Sequence, residues 1–254
     1  MSEAQQDRIE PLDEDFERVL CVVAHPDDIE YGTSAAVDRW TTAGTEVTYF
    51  LLTRGEAGID TMHPRDAGPT REAEERAAGR VVGVEEVAFG THRDGMIEYG
   101  LDLRRDIARE IRRRRPNVVV AGPYELMFVG GMLNQADHRA VGLATLDACA
   151  DAGNRWIFPE ILDDEGLEPW HVGLILVAGA ARPTHFVDVT GHYDAAVASL
   201  EEHRAYNDVL PDDFPKPPQL LQLILGGGAE RVRAQDESAG AGIEHALLVQ
   251  AFRR

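Results

Sequence analysis

The sequence predicts an α/β protein built on a mainly parallel sheet with helices packed on both faces. Three observations point there. Short apolar runs alternate along the chain with longer segments of helical composition. The first run, "VLCVVA" (Val19–Ala24), is apolar at every position, as a strand covered on both sides should be. It stops at the polar cluster His25–Asp28, beyond a strand's carboxyl end, which is where open parallel sheets place their ligands.

The elements follow in order. After Val19–Ala24, residues 32–43 have helical composition and stop at Gly44, a good terminator. "EVTYFLLT" (Glu46–Thr53) reads as the second strand, Arg71–Val82 as a helix and "EEVAFG" (Glu85–Gly90) as the third strand. Leu103, Ile107 and Ile111 recur at a spacing of four, giving a helix with one apolar stripe that must end before Pro116. "NVVVAGP" is the fourth strand, Ala136–Cys149 a helix, "VGLILVAG" and "HFVDVT" two more strands, and Tyr193–Tyr206 the closing helix. The run Arg112–Arg115 is expected to be a solvated helix end, where cations complement the helix dipole.

A chain of 254 residues suits one large domain, with no internal repeat. Residues 1–17 read as an acidic N-terminal tail, 18–254 as the domain, and 201–236, with "LPDDFPKPP" and "GGG", as a lid or small C-terminal subdomain. The formal charge of -20 argues against nucleic acid and anionic membrane as partners. Basic n-region and apolar h-region are both absent from the first residues, and no apolar run is long enough to span a bilayer, so a cytoplasmic location without membrane insertion is expected. Cys21 and Cys149 fall in apolar segments and are expected to be buried small hydrophobes.

The chemistry lies in the polar cluster. A hydrolytic zinc takes three ligands from His, Asp or Glu and keeps one position for water. His25 and Asp28 sit on one turn, and His138, after the fourth strand and at the start of a helix, is the best third candidate. Asp27 then stands beside the metal, where it can take a proton from water, and Asp137 can orient His138 or a neighbour. The competing reading is a plain turn in which the aspartates cap the next helix.

"AHPDDIE" followed by "DHRAVG" resembles the LmbE-like (PIG-L) metal-dependent de-N-acetylases. The resemblance extends over most of the chain through "LLTRGEAG", "REAEERAAGRVVGV", "RDG", "RPNVVVAGP" and "HFVDVTGHYDAAVASLEEHRAY". It implies a Rossmann-like, LmbE-like fold and hydrolysis of an N-acetyl group on an amino sugar or sugar conjugate. It implies Zn²⁺, with Fe²⁺ as an alternative in the same ligand set, held by His25, Asp28 and His138, and Asp27 as general base. Arg71 and Asp94 fall where family members hold the sugar; read without the resemblance, they are a surface helix residue and a turn former. The resemblance also admits a homo-oligomer.

One departure stands out. Gln135 occupies the place of the family's first histidine in His-x-Asp-His. Glutamine can donate a hydrogen bond to an oxyanion but cannot supply a proton. Asp27 could return its proton to the amine, another histidine such as His203 or His63 could serve, or turnover could be weak. Three rival functions follow: an amidase for a larger N-acyl or thiol conjugate, a metal- or sugar-binding homologue, and a nucleotide-binding domain. The last is disfavoured because the first strand is followed by His-Pro-Asp-Asp and not by a glycine-rich phosphate loop.

Overall fold

The computed structural model describes residues 8–128 and 131–254. Its strands are β1 (Glu10–Pro11), β2 (Arg18–Val23), β3 (Glu46–Leu51), β4 (Glu86–Phe89), β5 (Val118–Ala121), β6 (Leu174–Ala178), β7 (His185–Asp188) and β8 (Ala246–Arg253). The helices are α1 (Thr33–Thr42), α2 (Pro64–Val81), α3 (Leu101–Arg114), α4 (Ala136–Ala152), α5 (Glu160–Asp163), α6 (Tyr193–Glu201), α7 (Arg204–Asn207), α8 (Pro217–Leu221) and α9 (Gly227–Gln235). A π-helical turn, Gln222–Gly226, joins α8 to α9.

All eight strands form one sheet in the order β1-β7-β8-β6-β5-β2-β3-β4. From β4 to β6 every pairing is parallel, and β1 pairs parallel with β7. β8 lies antiparallel between β6 and β7 and is the sole antiparallel strand among the described residues. The chain steps outward from β2 through β3 to β4, then returns to place β5 on β2's other side. The gap between β2 and β5 is therefore the point where strand order reverses, and a crevice opens there at the carboxyl ends.

The two faces explain the uninterrupted apolar character of β2. Val19, Cys21 and Val23 point to one side, where they join Trp40 of α1, Leu200 of α6, Leu221 and Leu225. Leu20 and Val22 point to the other, against Leu103, Ile107 and Ile111 of α3 and Val141, Ala144 and Ala148 of α4. Alternation is hidden in the sequence because both faces are covered. The close fit of α4 to β5 depends on Gly142, since a Cβ there would stand 2.7 Å from the Gly122 carbonyl oxygen.

Several expectations change. Part of the N-terminal tail is structure: Glu10 and Pro11 pair with β7, and Ile9 and Leu12 are buried. Within the segment 201–236, Leu221 and Leu225 sit in the main core and Ala229 and Val232 pack with Phe186 and Ile243. The second helix starts at Pro64, seven residues before Arg71, with the His63 side chain accepting a hydrogen bond from Arg65 N. The helix expected over Tyr193–Tyr206 breaks at His203 into α6 and α7. Arg112 is buried rather than solvated; its guanidinium donates to the carbonyls of Asp151, Ala152, Asn154 and Ile157, closing the end of α4. Both cysteines are buried, and burial pushes the Cys149 thiol up to about 12, so neither is poised as a nucleophile. No described helix is long and apolar enough to cross a membrane.

Candidate active site

The turn after β2 assigns the two aspartates different work. Asp28 Oδ2 accepts from the backbone N–H groups of Ala24 (3.0 Å) and His25 (2.9 Å), which caps the turn. Its other oxygen, Oδ1, lies 3.0 Å from His138 Nε2. One carboxylate thus ties the turn and faces His138, an oxygen for each, while the next helix, α1, has Gly32 at its N-cap and no side-chain cap, so the helix-capping reading is not met.

His25 Nδ1 lies 3.2 Å from His138 Nε2 and 3.7 Å from Asp28 Oδ2. The opposite nitrogen of each ring is already committed. His25 Nε2 faces Asp94 Oδ1 at 3.0 Å and Asp137 Oδ2 at 3.2 Å, so the ring must donate there. His138 Nδ1 faces Asn134 Oδ1 at 3.1 Å, and Asn134 donates its own amide hydrogens to the carbonyls of Pro123 and Glu125, which leaves Oδ1 to accept. With those protons fixed, the facing nitrogens His25 Nδ1 and His138 Nε2 both present lone pairs, next to a carboxylate oxygen. Three acceptors converging on one point need positive charge among them, supplied by a cation or, without one, by a proton. Their mutual distances and the N, N, O donor set fit a divalent metal.

Without an ion in the pocket, a proton takes the cation's place. Burial opposes the charged form of His25, but Asp137, Asp28 and Asp94 outweigh it and push the ring up to about 12. Burial opposes the Asp28 carboxylate too, yet His138 and His25 hold it well below the usual range. The pocket is built to stabilise positive charge.

Asp27 is 4 % exposed and has φ 86°, a conformation that L residues visit at a cost on the order of 1–3 kcal/mol. Its surroundings fix it from three sides. Arg71 Nη2 donates to Oδ1 at 2.8 Å, the Tyr31 hydroxyl donates to Oδ2 at 3.1 Å, and the Asp27 N–H donates to Glu75 Oε2 at 3.1 Å. Burial raises the Asp27 carboxyl's affinity for a proton, with Arg71 partly opposing it. A base of raised proton affinity suits proton transfer near neutral pH.

The structure places the expected residues unevenly. His25, Asp28 and His138 converge, with Asp27 beside them. Asp137 orients His25 rather than His138, anchored by the N–H groups of Gly95 (2.8 Å) and Ile97 (3.1 Å). Arg71 and Asp94, expected to hold a sugar directly, are turned inward. The Arg71 guanidinium binds Asp27 and the Pro26 carbonyl and lies over the Tyr206 ring at 4.1 Å. Gly58 lets the loop 54–63 lie against it, since a Cβ there would meet Arg71 Nη1 at 2.3 Å. Asp94 accepts from Ala57 N at 2.7 Å with the oxygen that His25 leaves free. Gln135 is the exposed N-cap residue of α4, and its side chain makes no capping bond. His203 is fully buried, and His63 caps α2.

Sequence reasoning missed Asn134, Tyr31, Glu75 and Tyr206. Glu75 carried a signal: it follows Arg71 by four positions and so shares its helix face. Glu74, one position earlier, faces elsewhere and accepts from Ala205 N.

The residues 20–149 match the family PIG-L: GlcNAc-PI de-N-acetylase. This chain belongs to that family. A diacetylchitobiose deacetylase of Thermococcus kodakarensis is 27% identical over 204 residues, 78% of this chain and 72% of that protein. A 1D-myo-inositol 2-acetamido-2-deoxy-alpha-D-glucopyranoside deacetylase of Geodermatophilus obscurus is 30% identical over 246 residues, 85% of this chain and 79% of that one. Among solved structures, the N,N'-diacetylchitobiose deacetylase of Pyrococcus horikoshii superposes with a TM-score of 0.83 at 22% identity, covering 99% of this chain and 89% of that chain. The structural match shows the shared fold, and the family shows the lineage.

Proposed function

We propose that this protein is a metal-dependent N-deacetylase that removes an acetyl group from an amino sugar or sugar conjugate. The observation that carries the proposal is the meeting of three lone-pair donors, His25 Nδ1, His138 Nε2 and Asp28 Oδ1, next to a buried carboxylate of raised proton affinity. The relatives' substrates, diacetylchitobiose and an N-acetylglucosaminyl inositol, supply the substrate class. The donor set favours zinc, with Fe²⁺ as the alternative.

A divalent ion held by His25, Asp28 and His138 would act as a Lewis acid on the acetyl carbonyl and make water more acidic. The protein's own groups do the rest. Asp27 takes one proton from the attacking water as oxygen adds to the carbonyl carbon. Gln135, at the rim, can donate its amide to the developing oxyanion. Asp27 then returns its proton to the amine nitrogen as the C–N bond breaks, so no histidine is required at position 135. Arg71 and Tyr31 hold the Asp27 carboxylate in line, and Asp94 and Asp137 hold the His25 ring. Both Arg71 and Asp94 therefore serve the substrate through those residues.

The test is release of acetate and of a new primary amine from N,N'-diacetylchitobiose and from an N-acetylglucosaminyl inositol, using zinc- and iron-loaded protein. N-propionyl and N-butyryl analogues run alongside probe the acyl pocket. Turnover of an acetylated sugar is the expected outcome. Metal-loaded, folded protein that releases no acid from any of them would sink the proposal.

A further inference from the structure

Glu30, Glu75 and His203 form a second cluster, and none of the three has exposed surface. Glu30 comes from the turn after β2, Glu75 from α2, and His203 from the break between α6 and α7. His203 Nε2 lies 3.5 Å from Glu30 Oε2 and 3.7 Å from Glu75 Oε2. Ser199 Oγ, 3.2 Å away, donates to Glu30 Oε1. Glu30 Oε2, Glu75 Oε1 and both His203 nitrogens make no hydrogen bond of normal length.

Three sealed ionisable groups are a poor way to join helices, because apolar side chains of similar volume do that at least as well. Where the cluster's bonds lead gives it a purpose. Glu75 Oε2 accepts the N–H of Asp27, the residue whose backbone is held at φ 86°. His203 Nε2 faces both carboxylates and so ties Glu75 to Glu30. Arg71 and Tyr31 engage the Asp27 side chain, and Arg71 also donates to the Pro26 carbonyl at the other end of the same peptide group; the Glu75 bond is the one that holds the Asp27 N–H.

We propose that Glu75, backed by Glu30 and His203, is a positioning residue that locks the left-handed backbone of Asp27 and so aims the Asp27 carboxylate at the metal pocket. This rests on the reading of Asp27 as general base. Without the bond, Asp27 relaxes toward negative φ and its carboxylate swings out of line; a displacement near 1 Å is enough to cost about 10²-fold in rate.

The test compares Glu75→Ala, Glu75→Gln and His203→Gln with wild type in two independent readouts. One is hydrogen exchange of the Asp27 amide by NMR in zinc-loaded protein, which needs no turnover. The other is kcat and KM on the acetylated sugar that wild type hydrolyses. Glu75→Ala should speed Asp27 exchange at least about tenfold and lower kcat by about 10- to 100-fold, with KM and one zinc per chain unchanged. Glu75→Gln, whose amide oxygen still accepts, should restore both, and His203→Gln should fall between. Normal exchange and normal kcat in folded Glu75→Ala would overturn the proposal, as would fast exchange with unchanged kcat. So would a Glu75→Gln that behaves like Glu75→Ala, or a second zinc retained when His138 is removed. If Glu75→Ala fails to fold, His203→Gln decides, and normal exchange and rate there would make the cluster a stability element only. If wild type hydrolyses no acetylated sugar, the function reading fails, while the exchange data still decide the lock.

Discussion

Two clusters of three metal-ligand-type side chains flank Asp27, and they differ in exposure and in the partners behind their rings. His25, Asp28 and His138 keep some exposure, with side-chain values of 8%, 15% and 17%. Glu30, Glu75 and His203 have none. In the open cluster the protons are fixed by partners behind each ring, so the lone pairs face a shared point that a cation can reach. In the sealed cluster neither His203 nitrogen has a hydrogen-bond partner among the described residues, and none of the three side chains reaches the surface. Residue type is common to both; second partners and access separate a binding site from a brace.

The strongest way to break this comparison is His138→Ala. Metal content should fall from about one equivalent per chain to near zero, and added zinc should no longer raise Tm, whereas wild type gains about 2.7 kcal/mol at a hundred times Kd. Elemental analysis and melting curves decide; a variant that keeps its metal would remove His138 from the ligand set. Next comes Asp27→Asn, which should hold its metal and lose at least about 10²-fold in kcat, the low end for removing a general base. Steady-state kinetics on the metal-loaded variant check this, and near-normal turnover would remove Asp27 from the mechanism.

Asn134→Ala sharpens the argument about proton placement. It frees His138 Nδ1, and metal affinity should weaken by about 10- to 100-fold, measured by competition with a chelator. Unchanged affinity would show that the Asn134 contact fixes nothing. The smallest effect belongs to Tyr206→Leu. Losing the ring under Arg71 removes an interaction of about 1 kcal/mol, so kcat should fall by less than about tenfold with metal content intact. A larger drop would give Tyr206 a direct part in binding substrate.

Much of this was legible in the sequence because strand ends are. His25 and Asp28 follow an all-apolar run and His138 follows another, so both fall at the carboxyl edge whatever the details between. What the sequence conceals is direction. Arg71 lies on a charged helix and reads as available to solvent or sugar, yet its guanidinium is buried against Asp27 and Tyr206. Glu75 is hidden in the same way among four acidic or basic neighbours in "REAEER". Asn134 gives no signal at all, since only the folded loop brings its amide to His138. β1 is too short to leave a pattern, and β8, "ALLVQAFR", joins the sheet through partners far away in the chain.

That last strand bears on how the molecule is made. β6 and β7 are adjacent in sequence but never touch in the sheet; β8 is the ladder between them, and β1 reaches the sheet only through β7. During synthesis the parallel half, from β4 to β6, can close as soon as β6 emerges. It then carries an unpaired apolar edge until residues 246–253 arrive, the interval in which such an edge is open to aggregation or to a chaperone. The metal pocket, lying between β2 and β5, belongs wholly to the half that can form first.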